Sequence, residues 1–446
     1  MIFSNNISKH IEQIKIGGIK VLLKKIKSFV FLVLQLPFYL LAIPSIIIIR
    51  LIKPWKLIRW QEINSSRIGH FTINTELYCC ERDAKINLPT QKYIDLFYLR
   101  KYVCNKQLEK MWRRSIIILP FWIMKPLFRV NRFLNIFVSG GKQHEISYLS
   151  SHMTNSTLSA YDLHNVLGKF TQHINFNDEE EIRGKKFLRD FGLPDKAKFV
   201  CLTVRDSAYL ERHSKSENYS SRNWKYHDYR DGDIDKFILS TEELTKRGYY
   251  VFRMGVKVLK PIKINNPKII DYANSNLRSA FMDIYLSAKC SFCITTCTGI
   301  DEISRIFGKP IANISMPLAV QLFFGGYEKE LVITKHHINK KNNNKLTVSE
   351  IFLFNLALAF HSEDFEKSGV DLIENSPEEI RDLVIEIEER LNGNWIETKE
   401  DLLLQEKFKD LFKENLKKLK LKIKLNSEIK ANFGAKYLRQ NPDWIQ

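Results

Sequence analysis

The chain has 446 residues, enough for two α/β domains with their own cores, and its 69 Lys and Arg outweigh 50 Asp and Glu to give a formal net charge of +19. Such an excess calls for an anionic partner: nucleic acid, an acidic membrane surface or a phosphorylated substrate. Nucleic acid fits worst, because no zinc-finger, RNA-recognition or helix-turn-helix pattern is present and much of the basic excess is concentrated in residues 9–27 and 413–430.

Residues 1–58 read as a membrane-associating segment. Lys9, Lys15, Lys20, Lys24, Lys25 and Lys27 precede residues 29–49, FVFLVLQLPFYLLAIPSIIII, which carry no formal charge and have about the length needed to cross a bilayer. A secretory signal does not fit, since the basic region is long and no small-residue cleavage site follows. Pro37 and Pro44 interrupt the run, and Arg50, Lys53, Lys56 and Arg59 beyond it nearly balance the lysines before it, so the positive-inside rule sets no orientation. A hairpin or interfacial anchor, a single span and a buried helix all stay open. The first would leave the remainder in the cytoplasm, at the inner face of a bacterial plasma membrane.

A first α/β domain is expected over residues 59–185. A short strand leads into Ser65-Ser66-Arg67-Ile68-Gly69-His70, then into a helix carrying Asn74 and Glu76. Gly69 lets the backbone approach a ligand, and His70 at a helix start is placed to serve as a general base, or simply to hold a capping loop. Apolar strands at 116–119 and 136–138 alternate with basic helices, and the second precedes a Ser139-Gly140-Gly141 turn. Residues 184–192, GKKFLRDFG, read as a linking helix closed by Gly192 and Pro194.

A second Rossmann-like domain is expected over residues 186–335. The strand at 199–204 ends in Arg205-Asp206-Ser207-Ala208-Tyr209, and polar groups at the carboxyl end of a buried strand are where open α/β sheets bind ligands. Arg205 offers a planar fork for pyrophosphate or pairs with Asp206 to hold the loop. Residues 210–230, too long and polar for core, read as a lid with Arg222, Tyr226, Tyr229 and Arg230 near its end. Further strand ends bring Arg253-Met254-Gly255, then Tyr272 with Arg278, while Asp283 caps a helix or reaches a ribose hydroxyl. Residues 289–315 form a strand, turn, helix, strand unit whose Thr296-Cys297-Thr298-Gly299 turn, followed by Asp301, is a candidate phosphate site. Cysteines 79, 80, 104, 201, 290, 293 and 297 are odd in number, as expected of reduced thiols, and Cys290 and Cys293 sit three apart on a strand, facing opposite sides, which disfavours a shared metal.

Residues 336–446 read as a helical extension packing across the domains. Amphipathic helices are expected at 346–361 and 376–391, the latter opened by Ser376-Pro377-Glu378-Glu379, and a basic helix at 402–425 that packs or lies on anionic lipid.

The strings RIGHFTINTEL, VRDSAYL, YRDGDID, GYYVFRMG, DYANSNLRSAFMDIYLSAKC, TGIDEISRIFGKP and YLRQNPDWI together make the chain, from about residue 55 on, resemble a family of bacterial glycosyltransferases associated with surface-polysaccharide gene clusters. Cys297 and Ala280 depart from the Gly or Thr and the Asp expected at those places. The resemblance implies a GT-B-like fold, two Rossmann-like domains facing a cleft, with the nucleotide-sugar donor in the second and a glycan or lipid-linked acceptor in the first. It implies catalytic roles for His70, Glu76 or Asp206, acceptor contacts from Arg67, Gly69 and Asn74, and donor contacts from Arg205, Tyr209, Arg253, Met254, Gly255, Tyr272, Arg278, Asp283, Thr296, Thr298, Gly299 and Asp301. No Asp-x-Asp metal motif stands where it would be needed, since Asp231-Gly232-Asp233 reads as a helix start, so the expectation is transfer without metal or cofactor. A pyruvyl- or other group transferase on the same scaffold, or a non-catalytic scaffold of a polysaccharide assembly complex, are the alternatives.

Overall fold

Runs such as FVCLT, with all five residues buried, lack the polar alternation of a half-exposed strand and form sheets covered on both faces, which favours parallel pairing. The computed structural model describes residues 2–86, 88–146, 162, 164–209, 224–317, 327–419 and 429–446. It is an α/β protein whose two larger sheets are parallel. Two compact units interleave along the chain: residues 1–63, 89–101 and 116–147 form one, and 64–88, 102–115 and 148–446 the other.

The smaller unit holds a parallel sheet of β1 (Leu57–Ile63), β2 (Tyr93–Leu99) and β3 (Ile118–Leu119) in that order. Arg59 and Asp95 face each other across β1 and β2 and pair in two parallel bonds of 2.7 and 2.6 Å. A helical segment, Ile2–Leu51, broken by a kink at Gly18, and the helix Phe121–Phe137 contact one another, and Ala42, Ile46, Met124 and Val130 share a core with Trp60 and Tyr98. Residues 136–138, expected as a strand, are the end of the second helix and its cap, with Val138 N–H donating to Leu134 O at 2.8 Å. The apolar residues of the segment recur with helical period at Met124, Leu127, Val130 and Leu134, and this outweighs the strand preference of two β-branched side chains. Val33–Leu51 is a 19-residue stretch of mean hydropathy 1.8, long and apolar enough to cross a membrane.

The larger unit is organised by seven strands: β4 (Phe199–Thr203), β5 (Tyr250–Arg253), β6 (Ile269–Ile270), β7 (Cys293–Thr295), β8 (Ile311–Met316), β9 (Glu330–Thr334) and, beyond the hairpin of β10 (His336–Asn339) and β11 (Val370–Ile373), β12 (Asn432–Phe433). The order is β12-β9-β8-β7-β4-β5-β6, so β6 to β9 follow the dinucleotide-binding sequence 3-2-1-4-5-6. The chain leaves β4 toward β5 and β6 on one side and returns through β7 to β8 and β9 on the other. The strand order reverses between β4 and β7, and the carboxyl ends of those two strands flank the switch point.

The helix at Pro377–Asn392 opens as its sequence requires, with Ser376 as cap, Pro377 in the first turn and Glu379 completing a capping box, and Gly393 closes it in the left-handed region. The basic helix Lys399–Lys418 buries Phe408, Phe412 and Leu416 in the core of the larger unit, against Phe352, Phe433 and Trp444. Residues 420–425 of the expected helix lie outside the described residues. The expected helix at 346–361 is shorter, a capped turn and a half at Val348–Leu353 followed by a 3-10 turn at Leu356–Leu358.

Gly184 shows how tightly this unit is fitted. It sits inside the helix Asp178–Asp190, where alanine would ordinarily gain roughly 0.5–1 kcal/mol, but a Cβ there would stand 2.1 Å from Cζ of the buried Tyr285. The clash outweighs the propensity. Gly184→Ala is expected to lower stability by about 1–3 kcal/mol in urea melts; a raised midpoint would mean that the ring swings aside.

Candidate functional site

The turn after β7 is shaped from within. Thr295 Oγ1 donates to Asp301 Oδ2 at 2.9 Å and Gly299 N–H to Asp301 Oδ1 at 2.6 Å, while Thr298 N–H points at Thr295 Oγ1 at 3.4 Å. Thr298 Oγ1 donates to Thr203 Oγ1 at the end of β4 at 3.2 Å. The two backbone donors expected to hold a phosphate are thus engaged by the turn's own side chains. Cys297 has φ +58°, a left-handed conformation that costs a side-chain-bearing residue strain, and Gly299 has φ +97°. Gly299 meets Gly69 closely: a Cβ on Gly69 would lie 3.1 Å from Gly299 Cα, so the first turn of the helix Ile68–Asp83, with His70 in it, is seated on the turn after β7.

Cations gather at the switch point. Arg205 N–H donates to Thr296 Oγ1 at 2.8 Å and its Nε to Asp231 at 3.1 Å, so its ionic partner is Asp231 and not Asp206. Arg230, at the end of the 3-10 helix Trp224–Arg230, donates from Nη2 to Cys297 O at 2.8 Å, and its Nε is buried without a hydrogen-bond partner among the described residues. Lys335, just past β9, is buried and donates to Asp231 O at 2.6 Å. Burial, and then the charge of Arg230, push Arg205 down to about 10. Burial first, then Arg205, Arg230 and Arg67, push His227 down to about 3. Burial is the larger cause, and the three guanidinium groups add to it, so the imidazole lies among a cluster of cations of the kind that binds a multiply charged anion. Lys335 and His227 were not singled out in the sequence, where nothing marks a lysine after a buried strand or a histidine in a polar loop. Residues 210–223, the greater part of the expected lid, lie outside the described residues.

The other candidates are distributed as follows. Arg67 precedes the helix Ile68–Asp83, and His70 and Asn74 are half-buried, one turn apart on one face. Glu76 lies on another face, buried, with Oε1 3.0 Å from His173 Nδ1, while His173 Nε2 contacts Asp83 Oδ2 at 2.9 Å. Burial lowers the His173 pKa, but Glu76 and Asp83 outweigh it and raise the imidazole above its ordinary value. Glu76, Cys80 and His173 each bring a ligand atom within 4.8 Å of the others, a set of donor types able to take a metal ion. Asp206 accepts from Ala208 N–H at 3.1 Å and Leu259 N–H at 2.9 Å, which ties down two loops. Arg253 is buried and reaches Asp271 at 3.4 Å and Lys260 O at 3.3 Å; beside it Met254 is buried, and Gly255 has φ +153°. Arg278 donates to Asp283 at 2.6 Å and Tyr272 OH to Asp283 at 3.2 Å, and burial raises the Asp283 carboxyl despite Arg278. Tyr209 is half-buried beside Ala208. The structure therefore brings Arg205, Thr296, Thr298, Gly299, Asp301, Gly69 and His70 together, and places Arg253, Tyr272, Arg278 and Asp283 in internal networks at and beyond the end of β5. Asp231-Gly232-Asp233 does start a helix, with Asp233 accepting from Asp235 N–H. All seven cysteines are free.

No family model matches the sequence, and no curated protein does. Among solved structures, the chain is similar to the glycosyl transferase family 9 protein of Veillonella parvula DSM 2008, at 12% identity and a TM-score of 0.38 over 63% of this chain and 85% of that one. It is also similar to the ADP-heptose LPS heptosyltransferase II of E. coli, at 12% identity and a TM-score of 0.33 over 62% of this chain and 90% of that one.

Proposed function

We propose that the chain is a glycosyltransferase that moves a sugar from a nucleotide-sugar donor to a surface glycan or lipid-linked acceptor, without a metal ion, at the cytoplasmic face of a bacterial plasma membrane. The observation that carries this reading is the pair Arg205 and Arg230 at the switch point between β4 and β7, with a buried guanidinium N–H of Arg230 that has no partner among the described residues. In sugar transfer the anomeric C–O bond breaks, the nucleotide diphosphate departs with the electron pair, and negative charge grows on its bridging oxygen. Fixed guanidinium groups stabilise that charge without reorganising. His70 takes the proton of the acceptor hydroxyl as its oxygen bonds to the anomeric carbon. The two-Rossmann arrangement, donor on residues 186–335 and acceptor on 59–185, belongs to the same proposal.

The test is a set of thermal melts with UDP, GDP and CMP, with and without EDTA. One nucleotide present at a hundredfold excess over its Kd should stabilise the fold by about 2.7 kcal/mol, and chelation should leave the shift unchanged. No shift with any nucleotide would sink the reading.

A further inference from the structure

We propose that residues 33–51 lie in the plane of an anionic bilayer surface instead of crossing it, and that the helix Phe121–Phe137 enters the same leaflet beside them as a second lipid-binding element. Only 17% of Val33–Leu51 is buried. Its inward residues, Ala42 and Ile46, pack with Met124 and Val130, whereas Leu34, Leu40, Leu41, Ile48 and Leu51 stand exposed. The second helix is exposed in the same way: Phe133, Ile136 and Phe137 are 60, 75 and 71% accessible, and Trp122 is also outside. Contiguous apolar surface of this kind on both members of a helix pair needs an occupant.

The contacts between the helices decide its orientation. The Phe38 ring meets Trp122 at 5.0 Å, Arg129 donates to Tyr39 OH at 2.6 Å, and Arg50 donates to Asn131 Oδ1 at 2.9 Å and to Val138 O at 3.0 Å. Residues 38–50 thus run alongside residues 122–138, in the same direction. The second helix is in turn tied to the sheet unit, through Lys125 to Glu62 at 2.5 Å and Arg132 to Glu145 at 2.7 Å. If Val33–Leu51 crossed the bilayer, Lys125, Arg129, Arg132 and the strands behind them would be drawn into hydrocarbon, where charges and open sheet edges are excluded. Lying flat, both helices bury their apolar faces, while Arg129, Lys53 and Lys56 sit at headgroup depth, where long cationic stems reach phosphate. Those three cations select an anionic lipid surface as the occupant, a choice independent of the sugar-transfer reading.

The full chain should float with phosphatidylcholine vesicles containing phosphatidylglycerol and float more weakly with phosphatidylcholine alone. The triple variant Phe133→Glu, Ile136→Glu, Phe137→Glu should partition roughly tenfold more weakly or worse with an unchanged circular-dichroism melt, because these side chains are already outside. Should that variant misfold, brominated lipid serves instead: it should quench wild-type fluorescence more than that of Trp122→Phe. In inside-out membrane vesicles protease should remove tags at both chain ends. Undiminished flotation of a folded triple variant, equal quenching with and without Trp122, a protected amino-terminal tag, or conversion of a soluble dimer to a monomer by the triple variant would each overturn the proposal.

Discussion

Arg205→Ala is expected to erase the nucleotide-dependent rise in melting temperature and to slow sugar transfer by ~10²–10³-fold, the range seen when one preorganised charge donor is removed from a transition state. Arg205 is held by a backbone bond to Thr296 and a side-chain bond to Asp231, so its guanidinium is positioned before any ligand arrives. A lysine at 205 keeps the charge but loses the planar fork, and should restore binding only in part. The substitution also has a spectroscopic consequence. Arg205 follows burial as the second cause of the depressed His227 pKa, so its loss should move the His227 titration upward from about 3 in an NMR titration of the free protein. Removing the partner of Asp231, whose carboxyl is already raised by burial, should cost about 1–3 kcal/mol of intrinsic stability. The unliganded melt must therefore be recorded alongside. A full nucleotide shift in Arg205→Ala would remove this residue from the site.

His70→Ala should leave that shift nearly intact while turnover falls by ~10²–10⁴-fold, as loss of a general base requires. His70 is favoured over the other two candidates because of what surrounds them. Glu76 faces the interior and is occupied with His173, and Asp206 has each carboxylate oxygen engaged by a backbone N–H. A base works in its deprotonated form, so wild-type turnover should decline as pH falls through the imidazole titration, and the variant should lose that limb of the profile. Turnover retained in the variant would refute the role.

The parallel sheet could be read from the sequence because runs such as FVCLT are apolar enough to be covered on both faces, and its ligand edge could be located because Arg205 and Thr296 lie just past the ends of β4 and β7. The Gly69 and Gly299 positions stood out for a physical reason that the fold makes explicit, a backbone approach that a Cβ on Gly69 would crowd to 3.1 Å from Gly299 Cα. What could not be read depends on long-range pairing. Nothing local links Glu76 to His173 or Asp231 to Lys335, each pair separated by about a hundred residues. At residues 136–138 the local β preference points to a strand, and only the helical period of the apolar residues that precede them points to the helix end found there. Thr298 and Gly299 looked like free phosphate donors because sequence shows which N–H groups a turn offers and not which side chains, here Asp301 and Thr295, reach back to take them.

One short element sets an order on biosynthesis. β12 is two residues long, yet it pairs with the outer edge of β9, and Phe433, Trp444 and Ile445 that accompany it are buried in the main core. While a ribosome is still making the segment before residue 432, β9 is an open sheet edge that the finished fold buries along its whole length, the kind of template that recruits other chains. By then residues 33–51 have long since emerged and can engage a membrane. If the proposed surface contact forms at that stage, a nascent chain carries an anchored amino-terminal part and an unsealed sheet at the same time, and holding it on a surface limits the collisions through which such an edge would aggregate.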